Sequence, residues 1–203
     1  MTSFDLPQLI ALAAVLGFAS GLRLYAVLLI VGLVGYAGWV QLPPGLHVLE
    51  HPAVLAVAGV MFLAEFFADK IPALDTVWDA VHTFIRIPAG AALAAGTLGT
   101  DSTTWAVIAA LIGGSLAATS HFTKAGARAA VNTSPEPVSN IVVSTSEDLL
   151  VGGLLWLVLK FPLVAAAIVL LCVILAAWLL PKLFRFVRRI FFRRSQPSSS
   201  STG

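Results

Sequence analysis

Two stretches of this chain, Ser102 to Ser120 and Phe161 to Pro181, contain no charged residue. Each is close to the ~20 helical residues that cross a hydrocarbon core. In lipid a backbone must satisfy its own hydrogen bonds, so segments of this kind fold as helices. The rest of the chain agrees: 59% of the 203 residues are hydrophobic, 11% are charged and the mean hydropathy is +0.95. A soluble domain carries roughly a quarter of its residues as charges. The sequence therefore specifies an all-α polytopic membrane protein, expected as a bundle of about 5–6 membrane segments, some broken or re-entrant.

The formal charge of +2 hides an uneven distribution. Lys182, Arg185, Arg188, Arg189, Arg193 and Arg194 follow the last apolar run, and without these six the chain carries six basic against ten acidic residues. Such a cluster beside a terminal span marks the cytoplasmic side under the positive-inside rule and attracts anionic headgroups. Nucleic-acid binding does not follow from it. The expected organisation is a membrane-embedded domain over 1–181, a polybasic cytoplasmic segment over 182–194 and a disordered, serine-rich tail over 195–203. The lone Cys172 packs as a small apolar side chain. The N-terminus has Asp5 and no basic flank, which argues against a cleaved signal.

From Leu6 to Trp39 only Arg23 interrupts the apolar run. About 34 helical residues overshoot a bilayer, so the run reads as one long tilted helix or as two pieces broken near Ser20-Gly21. Gln41 to Pro52, with His47, Glu50 and His51, reads as a loop or interfacial segment. A helix from Pro52 meets Glu65, Asp69 and Lys70 before Pro72. Ala73 to Ile87 is amphipathic, with Asp75, Asp79, His82 and Arg86 at helical spacing, and lies on the membrane surface or lines a cavity. Pro88 to about Gly99 is too short to cross alone and suits a re-entrant hairpin or half-helix. A helix from Asp101 to Asn132 carries His121, Lys124 and Arg128 near its end, and the prolines at 135 and 137 break it. Ser144, with Glu147 three residues on, resembles a helix cap. Gly21-Leu22-Arg23 and Gly126-Ala127-Arg128, each followed by a proline-bearing loop and acidic residues, hint at a two-part internal repeat of the kind many transporters show.

Charged groups at membrane depth are costly and mark functional sites or structural ion pairs. His121, Lys124 and Arg128 share one helix face. With Arg23, Tyr25, Asn132 and Asn140 they form a candidate site for an anionic group. Glu65, Asp69, Asp75, Asp79, His82, Arg86, Glu136, Glu147 and Asp148 are the candidates for proton or ion coupling. The bland alternative is that the two sets pair only to fix helix register. Asn132, Thr133, Ser134 and Asn140 could equally cap helix ends. No hydrolase, metalloprotease or phosphate-loop signature is present. Asp75, Asp79 and His82 could ligate a metal on one helix face, but such spacing is common without one, so no metal and no cofactor is expected.

Taken together, Gly21-Leu22-Arg23-Leu24-Tyr25, Glu65-Phe-x-Ala-Asp69-Lys70-Ile71-Pro72, Asp75-x-x-Trp78-Asp79-x-x-His82-Thr83-Phe84-Ile85-Arg86 and His121-x-Thr-Lys124-Ala-Gly-x-Arg128, continuing through Asn132-x-Ser134-Pro135-Glu136-Pro137 to Glu147-Asp148, resemble the bacterial membrane-protein family known as domain of unknown function 4126. The likeness extends to about Pro181; Ile87 between Arg86 and Pro88 departs from it. The resemblance implies a multi-pass protein of the bacterial inner membrane and supplies no activity or substrate. The residues themselves suggest a small transporter or permease for an anionic group, such as a lipid headgroup, with proton coupling. An intramembrane enzyme acting on a lipid-linked substrate and a structural or assembly protein are the alternatives. Expected partners are membrane lipids, a small-molecule or lipid substrate and a second copy of the chain.

Overall fold

The computed structural model describes residues 4–99, 102–131 and 137–194. Among them are six α-helices, α1 (Leu6–Tyr36), α2 (Pro52–Ala68), α3 (Pro72–Leu98), α4 (Thr103–Val131), α5 (Pro137–Lys160) and α6 (Pro162–Arg194), and a 3-10 turn at Pro44–Glu50. Four helical stretches are long and apolar enough to cross a membrane: Leu6–Tyr36, Thr103–Val131, Ile141–Lys160 and Pro162–Phe186. The 3-10 turn and α2, bent by 69°, make a fifth candidate together. The chain is a multi-pass helical membrane protein.

Helix α1 is not a simple crossing. Its backbone leaves helical geometry at one residue, Arg23 (φ −142°, ψ 74°), and there it folds back on itself. Leu12 on one arm and Ile30, Val31 and Val34 on the other line the same small void. Phe4 and Leu9 likewise share a cavity with Gln41 and Leu42. A straight helix would hold Leu9 and Tyr36 roughly 40 Å apart at 1.5 Å per residue. The break therefore falls two residues beyond the expected Ser20-Gly21, and α1 is a re-entrant hairpin with both ends at one end of the bundle and Arg23 at its apex.

The other helices pack around this hairpin, whose most apolar window is 78% buried against 17% for that of α6. Small residues permit close approach. A Cβ on Gly17 would lie 2.7 Å from the Gly113 Cα, and one on Gly90 would lie 2.6 Å from Ala117. Gly45 and Gly96 meet in the same way. These pairings make the first arm of α1 antiparallel to α3 and parallel to α4. The second arm runs antiparallel to α2, with Gly32 against Leu55 and Gly59 against Leu29. Leu155 and Val158 of α5 lie beside Leu12 and Val31, while Leu183 of α6 touches Gly126. From these directions the chain goes out and returns as the α1 hairpin, and α2 to α6 then run in alternating directions along the bundle. The up, down, up course of the two α1 arms and α2 recurs in α4, α5 and α6.

Two expectations are corrected here. Pro88 does not open a re-entrant half-helix: α3 runs continuously from Pro72 to Leu98 with Pro88 inside it. Proline is tolerated within membrane helices where neighbours compensate. Ser144 is not a helix cap, because α5 starts at Pro137 and Ser144 lies two turns inside.

Candidate functional site

The break in α1 frees the carbonyls of the turn before it, Leu22 among them, and α4 supplies side-chain donors to this arm. Ser120 Oγ donates to the Phe18 carbonyl (2.7 Å) and Lys124 Nζ to the Leu22 carbonyl (3.2 Å). Gly21 permits the contact, since a Cβ there would collide with Ser120 and the Ala117 carbonyl. Arg23 is thereby held at the apex, fully buried. Its guanidinium meets Asp69 at the end of α2, lies 3.0 Å from Asp148 Oδ1 through Nε, and donates to the Ser144 hydroxyl (2.8 Å) and carbonyl (3.0 Å) on α5.

Helix α3 is amphipathic with its polar face inward. Asp75, Asp79, His82 and Arg86 are buried, while Val77, Val81 and Phe84 are exposed, Phe84 by 83%. The stripe thus lines the bundle interior, and the apolar face meets lipid. Arg86 donates to Glu65 Oε1 and to Asp79 Oδ1, both at 2.7 Å, and to His121 Nδ1 at 3.3 Å. On α4, Lys124 Nζ lies 3.0 Å from Asp69, 3.5 Å from Asp79 and 3.5 Å from Glu147. Arg128 grips Glu147 through Nε and NH2 (3.4 and 2.9 Å), approaches Asp75 Oδ1 at 2.9 Å and donates to the Asp69 carbonyl at 2.8 Å. Four cations and six carboxylates from α1, α2, α3, α4 and α5 form one continuous network, and α6 contributes none of them.

Hydrogen bonding engages both nitrogens of both histidines. His82 Nδ1 faces the Trp78 carbonyl at 2.8 Å and must donate to it, and on a neutral ring Nε2 accepts from the Tyr25 hydroxyl at 3.1 Å. Trp78 stacks on the same ring, 4.1 Å between centroids. Thr83 Oγ1 donates to the Asp79 carbonyl and therefore accepts from His121 Nε2 at 2.7 Å, leaving His121 Nδ1 to accept from Arg86. His121 is thereby neutral, and both imidazoles have both nitrogens engaged. His82 consequently does not join Asp75 and Asp79 as a ligand set. One oxygen each from Asp69, Asp75 and Asp79 do converge within 4.8 Å, but Arg23, Lys124 and Arg128 already press on those carboxylates. The cations of this cage are built in.

The sequence candidates thus gather almost completely: Arg23, Tyr25, His121, Lys124 and Arg128 lie with Glu65, Asp69, Asp75, Asp79, His82, Arg86, Glu147 and Asp148. Asn132, Glu136 and the side chain of Asn140 lie outside the described residues. Ser144 and Thr83 were missed, although Ser144 shares a helix face with Glu147 and Asp148, and Thr83 lies between Asp79 and Arg86. His47 and Glu50 lie in the 3-10 turn, Lys160 ends α5, and His51 caps α2 by accepting from Ala53 N at 3.2 Å. All four are remote from the network.

Toward the end of the bundle where α1 begins, the network is closed by Leu12, Val15, Leu16, Val27 and Val31, all nearly inaccessible. Toward the other end it reaches an edge at Asp148, whose side chain is 26% exposed. Arg23 lies about 25 Å along the first arm from Leu6, so the network sits toward the end of the bundle opposite the one where α1 begins.

The architecture and site define a polytopic helical membrane protein built around a buried, one-sided charge network. The chain belongs to the family described as Domain of unknown function (DUF4126), whose model matches residues 10–182, a span that includes every member of the network. Among curated proteins and solved structures, nothing matches it.

Proposed function

We propose that the protein is a small inner-membrane permease that takes up an anionic group together with protons at this network, with the network in the cytoplasmic half of the bilayer. The observation that carries the reading is the grip of α5 on the cations. Glu147 and Asp148 occupy Arg128 and Arg23 as the carboxylate or phosphate of a substrate would, and Asp148 does so at the edge that is not sealed. An anion arriving there displaces the α5 carboxylates, which leave as neutral acids by taking up protons. Orientation rests on charge: six basic residues lie in the last part of α6, from Lys182 to Arg194, at the network end, which the positive-inside rule places in the cytoplasm, where anionic headgroups are the nearest partners. At the opposite end a cavity of about 340 Å³ lined by Phe4, Leu9, Gln41, His47 and Thr97 gives a second vestibule behind the apolar seal.

The test uses protein in proteoliposomes holding a pH-sensitive dye, challenged with inorganic phosphate, succinate or vesicles containing phosphatidylglycerol. Proton movement driven by one of these probes, abolished in Arg23→Ala and Arg128→Ala, supports the proposal. Glu147→Gln with Asp148→Asn should bind the same probe without its pH dependence. Wild-type flux in both arginine variants would overturn it.

One observation favours a structural reading instead: each of the four cations already has carboxylate partners. In that case exchanging Arg86 and Glu65 restores the wild-type protein in stability and in activity alike, whereas a binding site regains stability alone.

A further inference from the structure

The charges of the network do not balance, and the imbalance falls on one residue. Within the described residues, Arg23, Arg86, Lys124 and Arg128 bring four positive charges to the sealed region. Glu65, Asp69, Asp75, Asp79 and Glu147 bring five negative ones, once the partly exposed Asp148 is assigned to the aqueous edge. His121 is neutral, because Arg86 can only donate to its Nδ1, and His82, stacked on Trp78, is counted as neutral. Lys70 is turned away, with its Nζ over the Phe66 ring at 3.2 Å and donating to the Phe66 carbonyl. A single uncompensated charge sealed in a low-dielectric interior is strongly unfavourable, and a proton removes it.

Geometry says where the proton resides. Asp69 accepts from Lys124, Glu147 from Arg128, and Glu65 and Asp79 each from Arg86. Asp75 is fully buried, and neither of its oxygens accepts a hydrogen bond. The Arg128 NH1 group beside it, 2.9 Å from Oδ1, points a hydrogen at the Asp69 carbonyl. Asp75 is faced by Asp79 one turn along α3, by Asp69 from the end of α2, and by Lys124 and Arg128 from α4. Two of these neighbours are carboxylates that already hold the available donors. From the charge count and this orphaned carboxyl we infer that Asp75 carries the proton of the closed network and is the group through which the network loads and unloads it. The proton comes from water at the Asp148 edge and needs no other reactant. The inference deepens the permease reading by naming its coupling site, and its physical content is independent of transport.

The test compares wild type, Asp75→Asn and Asp69→Asn, as full chains in lipid nanodiscs. Infrared titration from about pH 5 to pH 9 should show the carbonyl band of a protonated carboxylic acid in the wild type and its loss in Asp75→Asn. Asparagine mimics the neutral acid, so Asp75→Asn should melt within about 2 °C of wild type, while Asp69→Asn falls by more than about 5 °C. A band that persists in Asp75→Asn, or equal destabilisation by the two substitutions, overturns the inference. So does a rise in wild-type melting temperature with millimolar Mg2+ or Ca2+ that Asp75→Asn lacks, because a metal ion would then supply the missing charge. Loss of the band in Asp75→Asn, with no probe-driven flux in the wild type, supports the proton site and sinks the permease.

Discussion

Replacing Arg86 by methionine tests whether the network holds the bundle together. Arg86 is fully buried and supplies a charged hydrogen bond of 2.7 Å to each of Glu65 and Asp79. Methionine keeps much of the side-chain length and removes the charge. Asp79 retains Lys124 at 3.5 Å, but Glu65, equally buried, loses its hydrogen-bonded partner. Removing one member of a buried pair costs about 3–5 kcal/mol, mostly from the charge left behind. At about 2–4 °C per kcal/mol for a chain of this size, the expected fall in melting temperature is roughly 6–20 °C. The loss should be smaller at pH 5 than at pH 8, because a proton on Glu65 discharges it. Adding Glu65→Gln removes the stranded charge and should return most of the loss. Thermal melting of the detergent-solubilised protein measures all three states. An Arg86→Met protein within about 1 kcal/mol of wild type, or a double variant no better than the single, would refute the reasoning.

Three further outcomes follow from the fold. Single cysteines at Asp5 and Ala37, in a Cys172→Ala background, should react with an impermeant maleimide from the same side of the membrane, and one at Arg185 from the other; opposite sides for the first two would mean that α1 crosses. Gly152 lies inside α5 with nothing within 4 Å of an added Cβ, so Gly152→Ala should stabilise the protein by about 0.5–1 kcal/mol, read as a raised melting temperature. Tyr25→Phe leaves His82 Nε2 without its donor and should cost about 1–2 kcal/mol, whereas a variant as stable as wild type would remove the basis for the tautomer assigned to His82.

Much of this was legible in the residues. The charge-free runs announced α4 and α6, and the helical spacing of Asp75, Asp79, His82 and Arg86 announced a polar face. Partners were not legible, because pairing across helices depends on directions that no local pattern carries. The turn at Arg23 shows why. Residues 6–39 offer Ser20-Gly21 as a break no more strongly than one long tilted helix, and the break is sustained by Ser120 and Lys124, about a hundred positions away. Pro88 misled in the opposite direction. It is a helix breaker by local rule, yet it lies in a helix whose other residues pack continuously against α1 and α4. The missed Ser144 illustrates a third limit, since a serine two turns inside a helix gives no sign that an arginine from another helix will reach it.

The hairpin in α1 also bears on the order in which the protein matures. Residues 6–39 leave the ribosome before the helices that follow, as an apolar run long enough to be taken for an ordinary span, yet the groups that complete the turn at Arg23 belong to α4 and α5 and are synthesised much later. Until they arrive, the guanidinium has no Glu147, Asp148 or Ser144 to meet, and the Phe18 and Leu22 carbonyls lack their side-chain donors. A segment made before the others of the bundle therefore reaches its final shape only after them, and biogenesis must keep α1 pliable until α5 is in place.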